Sequence, residues 1–160
     1  MSFPLAPAGA PLGLQPDKEE VRVMNRTGGA VVVGQAVQFD LAQSDGDVSN
    51  STVGDTASSL ANVISVAGTD PEKIFAVVTE AGADNAEIKV CLRGSVDVSV
   101  AGSVQGTGSA LTVVATQAAF DTDAVTGSKI VGMLLEAKPS TGTDTGVRVL
   151  FDGVHGFGIQ

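Results

Sequence analysis

The sequence predicts an all-β fold, a small β-barrel or sandwich of tulip-like form with an extended N-terminal arm, and three observations carry that expectation. Over residues 87–100 one period-two alternation runs unbroken, with Ile88, Val90, Leu92, Gly94, Val96, Val98 and Val100 on one side and Glu87, Lys89, Cys91, Arg93, Ser95, Asp97 and Ser99 on the other. Such a pattern belongs to a long half-buried strand. Elsewhere the apolar runs are short and are divided by Gly, Ser, Thr, Asp and Asn, the punctuation of strands and turns rather than of helices. The core must be aliphatic, because the 160 residues include six Phe and neither Trp nor Tyr.

Taken in order, residues 1–18 hold four of the six prolines, at positions 4, 7, 11 and 16, among Ala, Gly and Leu. That composition favours extended, polyproline-like backbone. We read it as an arm, with Phe3, Leu5, Leu12 and Leu14 apolar enough to gain by docking; the bland alternative is a frayed terminus. Residues 19–160 read as one domain, a size that buries a core without disulfides or metals. Strands are expected at 19–25, 30–33 and 36–41, the last with Val37, Phe39 and Leu41 inward, with a turn at 27–29 and a turn or bulge at Gly34-Gln35. Residues 43–59 are polar, and the expectation is a loop or a poorly ordered surface excursion, of a length that compact domains usually keep only for a purpose. Residues 59–66 fit a short strand or a single helical turn. The continuous apolar run at 73–79 predicts a strand buried on both faces. A turn at 82–85 leads into the long alternating strand, where Gly94 marks a place for a sharp bend. A Gly-Ser loop at 102–109, a strand at 111–116, a turn at 121–126 and a strand at 129–136 follow. The final strand, 146–152, sets Val147, Val149 and Phe151 inward. No internal repeat is evident.

The balance of charge narrows the function. Nine Lys and Arg against eighteen Asp and Glu leave a net charge of −9, which repels phosphate backbones and anionic lipid and argues against a nucleic-acid partner. A single cysteine, Cys91, forms no intrachain disulfide, consistent with folding in a reducing cytoplasm. No run approaches the roughly 18 apolar residues of a membrane span. The apolar start lacks a basic leader and is interrupted by Pro4, Pro7 and Pro11, so a secretion signal is not expected.

Residues that could carry chemistry are few. His155 is the sole histidine, set among Gly153, Gly156 and Gly158, and nothing in the sequence places a nucleophile or second acid–base group beside it. Asp121 with Asp123, and Asp45 with Asp47, suit a hard cation, but neither pair continues with the further oxygen ligands of a calcium loop. Solvated turns are the expectation for both. Residues 106–109, Gly-Thr-Gly-Ser, resemble part of a phosphate-cradling loop without the following Lys, and read as a hairpin loop. Cys91 falls on the outward side of the alternation between Lys89 and Arg93, a setting that lowers a thiol's pKa, but such a cysteine is more often packed under a neighbouring loop or against another subunit. Without Trp or Tyr, sugar recognition by stacking platforms is nearly closed. The expectation is a protein with no cofactor and no enzymatic activity.

A strand ending in Asn25-Arg26-Thr27-Gly28-Gly29, then AVVVGQAVQFDL at 30–41, IFAVVTEAGADNAEIKVCLRGSVDVSV at 74–100 and KIVGMLLEAKPSTGTDTGVRVLFDG at 129–153, resembles the small β-rich capsid decoration, or cement, proteins of tailed bacteriophages. The likeness spans about residues 20–153 and lies in a rhythm of glycine followed by valine-rich strand. The Pro-rich start and the loop at 43–58 have no counterpart in it. The resemblance implies a virion protein, made in the host cytoplasm, that binds the outer surface of an assembled shell at junctions between major capsid subunits. It further implies self-association as a trimer or dimer. Apart from the resemblance, the apolar content of residues 1–18 leads us to expect that this arm lies across a neighbouring subunit through Phe3, Leu5, Leu12 and Leu14, although whether the arm or the loop at 43–58 makes the main contact is left open by the sequence. Another virion module from the tail or head–tail junction is the nearest alternative, and an extracellular carbohydrate-binding or adhesion domain a more distant one.

Overall fold

The long alternation becomes the spine of the molecule. The structure, a computed structural model, describes residues 18–40, 61–123 and 126–159. These form strands and connections, with no helix among the described residues. In chain order the strands are β1 (Glu19–Asn25), β2 (Ala36–Phe39), β3 (Asn62–Ile64), β4 (Phe75–Glu80), β5 (Glu87–Ala101), β6 (Ala110–Thr112), β7 (Phe120–Asp121), β8 (Lys129–Leu134), β9 (Asp144–Asp152) and β10 (Gly158–Ile159). Phe3, Leu5, Leu12 and Leu14 of the expected arm, and Asp45 and Asp47, lie outside the described residues.

β1 runs parallel to β3, and antiparallel pairings then link β3 to β2, β2 to β4, β4 to β5 and β5 back to β1, closing five strands into a barrel. Val23, Val37, Val63, Ala76, Val78, Ile88 and Val90 fill it, with Val31 from the β1–β2 connection. Short aliphatic side chains are what so narrow a barrel can hold. A second closed circuit begins on the same β5. There β5 runs parallel to β7, and antiparallel pairings link β7 to β6, β6 to β8, β8 to β9 and β9 back to β5. Its interior contains Val96, Val98, Val100, Leu111, Phe120, Leu134, Val147, Val149 and Phe151. Phe120 and Phe151 meet edge to face there at 5.6 Å, a geometry the ring quadrupoles favour.

The two circuits are one pattern used twice. Val37 opposite Ala76 in the first corresponds to Leu111 opposite Gly132 in the second. Val78 opposite Val90 corresponds to Leu134 opposite Val149, and Val23 opposite Ile88 to Val98 opposite Val147. Isolated bridges sit at matching places, Val31 with Gly82 and Gln105 with Lys138. Gly34 N–H donates to Val78 O at 2.8 Å and Gly108 N–H to Leu134 O at 2.7 Å. Both glycines have φ of 86°, in the left-handed region that side chains resist. The repeat escapes a reading of the sequence because few of these matched positions keep the same residue and the β2–β3 connection, 40–61, is far longer than its counterpart, 113–119.

Gly94, at φ 115°, is where β5 passes from one circuit to the other. Before it Ile88 and Val90 face the first core; after it Val96, Val98 and Val100 face the second. The alternation expected to line one wall therefore lines two. β4 is buried on both faces as expected, with Ala76 and Val78 in the first core and Phe75 and Val77 in the second.

Other expectations are corrected. Residues 30–33 are not a strand, because Gln35 Oε1 takes the Val32 N–H and Gly34 turns the chain, leaving Val32 and Val33 exposed. At 59–66, where the sequence fits both a short strand and a helical turn, the strand is what forms, as β3. The strand at 111–116 ends at Thr112, and the turn at 121–126 begins inside β7. Residues 106–109 do not close a hairpin, since β6 pairs with β7 and β8 and not with β5.

Candidate interaction surface

The most buried polar side chains tie loops together. Asn25 Nδ2 donates to Gly29 O at 2.9 Å and Ala83 O at 2.8 Å, and its Oδ1 accepts from Thr27 N–H at 3.0 Å, which closes one end of the first barrel. Lys138, fully buried, closes the corresponding end of the second circuit by donating to Gly102 O at 3.0 Å and to Ser140 O, with Asp144 at 3.4 Å. The Ser140 hydroxyl, followed by Lys138, holds the Asp144 carboxyl below its ordinary range. Lys129 Nζ donates to Lys73 O at 3.0 Å, Gly153 O at 3.1 Å and Val154 O. Burial pushes its ammonium down, against the opposing pull of Asp152. A buried charge needs such a set of acceptors. Sequence reasoning missed both lysines, although a Lys heading the apolar run at 129–134 was a signal that could have found one of them.

Outside the barrel the charges form cross-strand pairs. Arg22 meets Glu87 at 2.8 Å, Arg93 meets Glu19 at 2.8 Å, and Lys89 approaches Glu80 at 3.9 Å. On the second circuit Arg148 clasps Asp97 through both nitrogens of its fork, Nη2 at 3.0 Å, which raises the guanidinium further. Exposed pairs of this kind contribute little stability each, but they fix which charges a partner meets. Between the β1–β2 connection and the turn at 115–118 lies a pocket of about 270 Å³ lined by Thr27, Gly28, Gln35, Ser65, Thr116 and Gln117 among others.

The structure separates the residues singled out from sequence. Cys91 is fully buried, in the second core, because the second circuit covers that side of β5 and of its neighbour β4. Its thiol is not activated; burial pushes it up to about 11. His155 is exposed at the surface, its Nδ1 3.5 Å from Asp152. The Asp152 carboxylate accepts from the N–H groups of Val154 and His155, which outweigh its burial and hold it low. Asp121 Oδ1 accepts from Asp123 N–H at 2.7 Å, and Asp123 accepts from Ser103, so the pair caps a turn. Among the described residues no group of three metal-ligating side chains comes together. Among the described residues these groups make local contacts, and the surface presents fixed charge pairs together with the pocket beside Thr27 and Gln117. Neither a protein-family model nor a curated protein matches the chain.

Proposed function

We propose that this protein is a virion structural component that binds the outside of an assembled bacteriophage shell at junctions between major capsid subunits and stabilises it. The observation that carries the reading is the use to which its buried polar groups are put. Asn25, Lys129 and Lys138 point at loop carbonyls and lock the ends of two apolar circuits, building a stiff body whose outer faces do the work. Such a body stabilises a shell by linkage, since it binds the assembled lattice and not its free subunits. Weak contacts then suffice when many copies act on one particle. Acidity supports this as well: a net charge of −9 keeps a concentrated protein soluble and away from packaged nucleic acid.

The test is to mix purified protein with undecorated shells of the cognate capsid protein and image them. Added density at local three-fold or two-fold positions is expected, and decorated shells should resist heat better than bare ones. Bare shells at saturating protein would overturn the reading, and bare shells accompanied by rings or tubes of the protein would favour a tail component. Deleting residues 1–16 is expected to lower occupancy through loss of Phe3, Leu5, Leu12 and Leu14.

A further inference from the structure

We propose that the outer face of the second circuit, formed by Ala110, Met133 and Leu150, seats a second copy of this chain in a head-to-tail contact. The argument comes from the repeat. In the first circuit Ala36 pairs with Val77 and Val77 with Cys91, making an apolar stripe across three strands on the outside of the barrel. That stripe is 3%, 0% and 0% exposed, because the second circuit covers it and the three side chains belong to its core. The register of the second circuit reproduces the stripe position for position: Ala110 pairs with Met133 and Met133 with Leu150. Here all three side chains remain partly open to solvent, and neighbouring Leu135 is 46% exposed.

The same sheet position is thus apolar in both circuits and, among the described residues, covered in only one. Within the chain its cover is the next circuit along. For the second circuit the next one is the first circuit of another copy, so the contact joins unlike faces. Contacts of that type close into rings or run on as filaments. The surroundings suit an interface: Met133 is a flexible, adaptable apolar contact, and the stripe is bordered by Ser95 opposite Leu150 and by the Asp97–Arg148 pair, a polar edge about an apolar centre.

Sedimentation velocity of the full chain over a concentration series tests this. Wild type is expected to gain mass with concentration, while Met133→Glu and Leu135→Lys keep the wild-type circular dichroism spectrum and weaken association by about ten-fold or more. Leu135→Lys, at an exposed position, decides the matter if Met133→Glu fails to fold. Hydrogen exchange on the associated form is expected to protect both the second-circuit stripe and a surface of the first circuit. A wild type that stays monomeric throughout, or variants that associate as well as wild type, would overturn the proposal, and protection of the stripe alone would replace it with a face-to-face dimer. The measurement uses no shells. A monomer that still decorates capsids sinks only this inference, and a self-associating protein that ignores them sinks only the capsid reading.

Discussion

Gly153 is where the end of β9 presses on the start of β4, and replacing it with alanine gives the sharpest test of how the two circuits are joined. A methyl group there would lie 1.9 Å from Phe75 O, 2.7 Å from Phe75 C and 2.7 Å from Phe151 Cζ. Two of those atoms are backbone and cannot rotate aside, so the start of β4 must withdraw. Withdrawal breaks the 3.0 Å bond from Phe75 N–H to Gly153 O, a loss of about 1 kcal/mol. It also disturbs an acceptor of the buried Lys129 ammonium, worth about 1–2 kcal/mol. Forcing apart the packing of Phe75 and Phe151 adds about 1–3 kcal/mol. Together these give about 3–6 kcal/mol, a large share of a typical domain's stability. At about 2–4 °C per kcal/mol for a chain of this length, Tm should fall by about 6 °C or more. Far-UV circular dichroism during heating and urea titration measures it. Gly28→Ala is the comparison: no atom lies within 4 Å of the added methyl and only the φ of +83° opposes it, a cost of about 1 kcal/mol. Should Gly153→Ala unfold within about 1 kcal/mol of wild type, or Gly28→Ala cost as much, the close approach does not hold the circuits together.

The remaining predictions concern the cores and the buried polar groups. Cys91 should resist thiol reagents in the native protein near neutral pH and react fully on unfolding, as followed by mass spectrometry. Because its folded value is raised to about 11, above the roughly 8.5 of an unfolded thiol, the unfolded chain loses its proton first. The thiol's contribution to stability is therefore intact below the unfolded value and is lost as pH climbs through the folded one. Lys129, lowered by burial, has the opposite slope on approaching its ordinary range, so comparing alkaline denaturation of wild type and Cys91→Ala isolates the thiol. Lys129→Met should lower stability by about 2–4 kcal/mol in urea titrations, since Lys73 O and Val154 O lose their donor. Ile88→Ala, in the first barrel, should cost about 2–5 kcal/mol by the same assay, whereas Asp97→Ala on the surface should cost about 1 kcal/mol or less despite the two-pronged contact it removes.

What was legible in the sequence was the part governed by local alternation. The strands at 19–25, 73–79, 129–136 and 146–152 each correspond to an observed strand, as does the long one at 87–100, because a period of two survives whatever the strand later packs against. The double burial of 73–79 was readable for the same reason, since only a strand with a core on each side is apolar without interruption. β7 and β10, of two residues each, are too short to carry a period, and they exist only because β5 and β8 offer them partners. Cys91 shows the limit most clearly. Its flanking Lys89 and Arg93 mark the outward side, and that side is indeed outside the first barrel, yet it is inside the molecule because a second circuit covers it. No local pattern states that a sheet has two cores, which is also why the sequence does not single out the lysines that plug loop ends.

The shared strand has a thermodynamic consequence that follows from the geometry alone. β5 supplies Ile88 and Val90 to one interior and Val96, Val98 and Val100 to the other, and the hinge between them is a single left-handed glycine at φ 115°. The second circuit cannot stay closed once β5 leaves it, and the first would then expose Ala36, Val77 and Cys91, which only the second circuit keeps dry. Each circuit thus stabilises the other through both covalent continuity and buried area, and the pair should melt as one cooperative unit rather than in two steps. Native-state hydrogen exchange is the measurement that separates the cases. Amides of Val90 and Val98 should share one opening free energy, equal to that of global unfolding. If Val98 opened at distinctly lower cost while Val90 stayed protected, the second circuit would be a separable layer and β5 two strands that merely happen to be continuous.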